Sequence, residues 1–107
     1  MDSEELFHLK SRLGVLIHQI QHLNRQKLAL RLRYDPLRLR ASKLKKGFEV
    51  KQRYFLEHAS FMEIIARRAK LVAEGYEILF KLKGIKKNVE VNELREQFLA
   101  SVPSIEA

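Results

Sequence analysis

Leu6, Leu9, Leu13, Leu16, Ile20 and Leu23 follow one another in alternating steps of three and four. That is the spacing of a heptad seam along one face of an α-helix. Asp2 with Glu5 three residues on has the arrangement of a capping box at its start. Lys27 interrupts the seam, Leu30 and Tyr34 resume it, and Gly14 costs the helix a little stability without outweighing six seam positions. A first helix is therefore predicted over about residues 3–33.

The next stretch, LRLRYDPLRLR at residues 30–40, reads nearly alike in both directions. From Leu28 to Tyr34 the apolar residues fall at every second position, which is strand periodicity. A two-residue β-hairpin turn, however, needs positive φ, and proline's φ is fixed negative. A helix start uses both central residues well, with Asp35 as N-cap and Pro36 at the first helical position. Proline also pushes Asp35 out of α geometry. The segment 28–41 reads as an elbow between helices ahead of the hairpin alternative. That reading turns Leu28, Leu30, Leu32, Leu37 and Leu39 inward.

From Phe48 a second seam runs through Lys51, Phe55, His58, Met62, Ile65, Ala69, Val72, Tyr76 and Leu79. It closes at KLKG, where Gly84 suits a C′ position and Lys81 and Lys83 suit the last turn. An unbroken helix over 36–83 would reach about 70 Å, against about 46 Å for 3–33. A helix over 48–83, about 54 Å long, is a better match. Residues 36–46 are then a basic connecting arm. Asn92 or Asn88 can cap a short C-terminal helix over about 89–101, with a tail at 102–107.

Helix 48–83 carries apolar residues on two sides of a thin charged strip of Glu63, Arg67, Lys70, Glu74, Glu77 and Lys81. The first side is the seam just described, widened by Ala66, Ala73 and Phe80. The second holds Phe61, Ile64, Leu71, Ile78 and Leu82. Apolar flanks on both sides mean burial on most sides. The first helix is expected to cover the seam. Val91, Leu94, Phe98 and Leu99 of the C-terminal helix would cover part of the second stripe. The remainder of Phe61, Ile64, Leu71, Ile78 and Leu82 is expected to form an interface with a second copy or with a partner's helix. The alternative is a three-helix monomer in which the C-terminal helix does all the covering. The expected fold class is all-α: a long antiparallel, coiled-coil-like helical hairpin with a basic connecting arm and a short C-terminal helix, in a single domain of 107 residues that is expected to be oligomeric.

Composition supports helices over strands, with four glycines, two prolines and no threonine in the chain. The absence of cysteine excludes a disulfide, a thiolate nucleophile and any Cys-based metal site. The acidic opening MDSEEL lacks the basic and then apolar regions of a secretory signal. The longest uncharged run, Leu13 to Asn24, is shorter than the roughly 17–25 residues of a membrane span. Both features predict a cytoplasmic or nuclear setting.

Charge changes the picture most. Between Arg25 and Arg53 stand eleven basic residues against two acids, a local net of +9 where the whole chain carries +8. Arg31, Arg33, Arg38, Arg40, Lys43, Lys45, Lys46, Lys51 and Arg53 have too few neighbouring acids for a salt-bridged surface. Arginine's planar fork binds phosphate oxygens bidentately, and Tyr34, Phe48, Tyr54 and Phe55 can stack on unpaired bases. The expected partner is the backbone of RNA or DNA. An acidic or helical protein surface is the runner-up, which would make the chain an adaptor, chaperone or scaffold subunit, and an anionic membrane surface ranks below both. No zinc-finger spacing, GXXG loop or RNP-type aromatic set is present.

His18 and His22 have the i, i+4 spacing of two metal ligands on one helix, but neither HExxH nor a third ligand accompanies them. They read as solvated or interfacial side chains. His58, among apolar residues, reads as a core or interface histidine that can make association pH-dependent. No carboxylate pair, Gly-rich phosphate loop or GxSxG elbow appears. The chain is expected to be a non-enzyme with no cofactor and no metal.

Overall fold

A computed structural model describes the backbone of residues 1–43 and 47–105, and the side chains of residues 1–33 and 47–103. Its elements are three helices, α1 (Ser3–Lys43), α2 (Phe48–Lys81) and α3 (Val89–Ser101), and a short 3-10 turn (Val102–Ile105). The chain is all-helical, with no strand among the described residues.

The seam of α1 is where its spacing placed it. Leu13, Leu16, Ile20, Leu23 and Leu30 are buried, and Leu6 and Leu9 pack against the core at its near end. Asp2 caps the helix, its Oδ1 accepting the Glu5 N–H at 2.7 Å. The helix end is different from the expectation: α1 continues through Asp35 and Pro36 to Lys43. Proline removes one backbone donor but not the carbonyls before it. The Leu-, Arg- and Ala-rich turns on both sides are good helix formers that carry the geometry across. The separate arm at 36–46 is thus not observed over 36–43, and the chain changes direction between Lys43 and Phe48. Gly47, with φ of 126°, lies at that change, in a conformation side chains rarely adopt.

Residue numbers rise along α1 as they fall along α2 where the two meet. Arg12 meets Glu74, Asn24 meets Arg68, and Leu30 shares a cluster with Ile64 and Phe61. The α2 face that does this is a second correction. Phe61, Ile64, Leu71, Ile78 and Leu82, expected at an intermolecular interface, pack inside the chain. They belong to a continuous 61-64-68-71-75-78-82 seam whose other members are Arg68 and Gly75. The rival seam is mostly outer, with Phe55 63% and Met62 48% exposed, while its Val72 and Leu79 pack against the edge of the core. A charged residue and a glycine interrupt the true apolar pattern, and an alternative that is apolar throughout from Met62 to Leu79 lies beside it.

Helix α3 is capped by Asn88, whose Oδ1 accepts the Val91 N–H at 3.2 Å, and not by Asn92. It lays Val91 and Phe98 into the main core with Leu13, Leu16, Ile20, Ile78 and Leu82. At Gly75 a Cβ atom would fall on the Phe98 ring, so the glycine is what admits it. Tyr76 meets the same ring edge-on at a centroid distance of 5.2 Å. Gly84 does not take the positive φ of a C′ glycine. The end of α2 is instead held by Arg95, whose Nη2 donates to the carbonyls of Leu82 at 3.2 Å and Ile85 at 3.4 Å. Because α3 covers only one end, the molecule is long and thin, 63 × 18 × 16 Å.

Candidate functional site

The basic segment lies at the end that α3 does not reach. Arg31, Arg33, Lys51 and Arg53 are exposed there, on α1 and α2 to either side of the change of direction. Arg38, Arg40 and Lys43 lie on helical backbone whose side chains fall outside the described residues, as do Lys45 and Lys46 altogether. The described ion pairs concentrate elsewhere. Arg12 holds Glu74 with two hydrogen bonds of 2.7 and 2.8 Å, and Lys10 holds Glu90 at 2.6 Å. Those bonds draw the Glu74 and Glu90 carboxyls below their ordinary 4.5. Glu74 and Glu90 are thus already matched with cations of the α3 end.

Apolar side chains share the basic end. Leu28 is 61% and Leu32 is 71% exposed, while Leu30 between them is buried. The inward turn of all the leucines is therefore wrong for Leu28 and Leu32, because a helical period, not a strand period, governs the stretch. Leu37 and Leu39 lie outside the described side chains. Tyr54 stacks on the half-buried His58 at 5.9 Å and meets Phe55 edge-on at 4.9 Å.

Midway along, the structure assembles a polar cluster that sequence reasoning missed. Arg68 is fully buried. Its Nε donates to Asn24 Oδ1 at 2.5 Å, and its Nη2 donates to the carbonyls of Ser101 at 2.7 Å and Val102 at 3.0 Å. Asn24 adds a bond of 3.3 Å to the same Ser101 carbonyl. The guanidinium thereby sits on the carbonyl end of α3, where the helix dipole is negative. Arg95 does the same for α2, so each helix stops against an arginine of the other. Arg68 Nη1 is buried without a hydrogen-bond partner among the described residues. Lys27, the seam-breaker of α1, is buried nearby. Desolvation, then the charges of Arg68 and Arg31, push its ammonium below the usual lysine value. The heptad position of Arg68 was a signal that could have revealed it, since 61, 64, 68 and 71 keep the seam's spacing.

On the opposite side of the same helix pair, His18 and His22 of α1 face Arg67 and Lys70 of α2 across an open groove of about 490 Å³ floored by Leu23 and Leu71. The two histidines are exposed, and among the described residues no group of three or more His, Asp or Glu could hold a metal ion. None of the helices, over the described residues, is long and apolar enough to cross a membrane. No family model, curated protein or solved structure matches this chain.

Proposed function

We propose that this chain is a non-catalytic interaction protein, a helical hairpin that associates with a second copy and holds RNA or DNA along its phosphate backbone. The observation that carries the reading is the separation of charge: exposed Arg31, Arg33, Lys51 and Arg53 gather at one end while Glu74 and Glu90 are paired at the other. Arg31 and Arg33, with Arg38 and Arg40 further along α1, act as phosphate clamps in this reading. Lys43, Lys45, Lys46, Lys51 and Arg53 add steering. Counterion release makes such binding fall steeply with salt. The test is fluorescence anisotropy of labelled single- and double-stranded oligonucleotides at about 50 and 200 mM salt. The variant with Arg31, Arg33, Arg38 and Arg40 all changed to Gln should bind more weakly and with a shallower salt slope. Equal binding by both proteins would remove the four arginines as the clamp, and no binding by the native chain at low salt would remove nucleic acid from the reading.

Exposed Leu28 and Leu32 favour a second reading, in which the same end receives a partner protein's helix and the chain serves as an adaptor, chaperone or scaffold subunit. Salt separates the two, since apolar helix pairing persists or strengthens as salt rises.

A further inference from the structure

The face of α2 opposite its inward seam has a pattern of its own. Phe55, Met62, Ala69 and Tyr76 repeat every seven residues, and Ala59, Ala66, Ala73 and Phe80 follow each of them by four. All eight are exposed in the single chain. This is a complete heptad stripe with large side chains toward its ends and alanines at its middle, and alanines let helix axes approach closely.

We propose that the stripe packs antiparallel against the same stripe of a second copy, in the one register that uses its whole length. Phe55 then lies opposite the second copy's Phe80, Ala59 opposite its Tyr76, Met62 opposite its Ala73, and Ala66 opposite its Ala69. Every large residue in the middle meets an alanine, and phenylalanines close both ends. The contact is about 39 Å long. A two-fold axis makes each pairing occur twice. On one flank Glu63 lies opposite the second copy's Lys70, and on the other Ile65 opposite its Val72, both half-buried in the single chain.

Charge rejects the neighbouring registers. A slip of one heptad in one direction sets Glu63 against the second copy's Glu63. A slip in the other sets Glu63 against its Glu77 and Lys70 against its Lys70. Like charges at these flanking positions disfavour pairing, which is how antiparallel coils choose a register. This inference rests on the self-association in the proposed function, and it assigns that association to a face other than Phe61, Ile64, Leu71, Ile78 and Leu82.

Sedimentation equilibrium of the full chain tests it. The native protein should dimerise at micromolar concentration. Glu63→Lys alone and Lys70→Glu alone should each weaken the dimer about tenfold or more, because two like-charge contacts replace two attractive ones. An equimolar mixture of those two variants should restore it as a heterodimer. Ala69→Glu should leave only monomer. All three side chains are exposed, so helical circular dichroism should be unchanged in every variant. A native chain that stays monomeric, or a dimer indifferent to the charge reversals and to Ala69→Glu, overturns the proposal. Oligonucleotide binding measured on the same samples separates the two readings. A monomer that still binds oligonucleotide removes the interface alone, and a dimer that binds none removes nucleic acid alone.

Discussion

Arg68 shows how one side chain can hold a fold's geometry without a counter-charge. Its fork reaches Asn24 on α1 and two carbonyls at the end of α3, so three elements depend on it. Arg68→Met should lower stability by about 3 kcal/mol, since it leaves those carbonyls and Asn24 without their donor. Arg68→Lys should recover less than half of the loss, because an ammonium cannot span the three acceptors. Urea denaturation of both variants reads this, and an unchanged midpoint for Arg68→Met would refute it. Lys27 gives a pH signature. Its folded value lies below the ordinary 10.5, so the folded chain holds its proton less tightly than the unfolded chain. Stability should therefore rise as pH climbs from the lowered value toward 10.5, and Lys27→Met should lack that rise. Thermal melts over an alkaline series, native against variant, measure the difference.

At the scale of elements, the lock between α2 and α3 is Gly75 under Phe98. In an isolated helix Gly75→Ala would gain about 1 kcal/mol of propensity. Here the added methyl would meet the Phe98 ring, and overpacking of that kind costs about 1–3 kcal/mol. The variant should thus be destabilised, and hydrogen exchange should speed up in α3 before it does in α1. Combining it with Phe98→Leu should cost less than the sum of the two single changes, a coupling that a double-mutant cycle detects. The element boundaries were legible to different degrees. Caps at Asp2 and Asn88 act within a few residues, so their chemistry is visible locally. Pro36 was read as a helix start, since the same residue is favoured there and tolerated, at a cost, inside a helix supported on both sides.

At the scale of the whole molecule, a helix of 41 residues is partnered by α2 from Arg12 to Leu30 but by α3 only toward one end. The half that α3 leaves open holds the exposed arginines and the exposed Leu28 and Leu32, so polyanion and partner readings both belong to that half. The proposed dimer adds a second covering along the outer face of α2. Local chemistry in the chain determined the all-helical class, the seam of α1, the caps of α1 and α3, and the concentration of positive charge in one segment. These follow from spacing, side-chain type and turn preference over a few residues. Only the tertiary structure decided which of two apolar stripes on α2 turns inward. Spacing allows both, and from Met62 to Leu79 the outer one is the more uniformly apolar. The inward stripe contains Arg68 and Gly75, whose merit appears only when the carbonyl end of α3 and the ring of Phe98, distant in sequence, arrive to meet them.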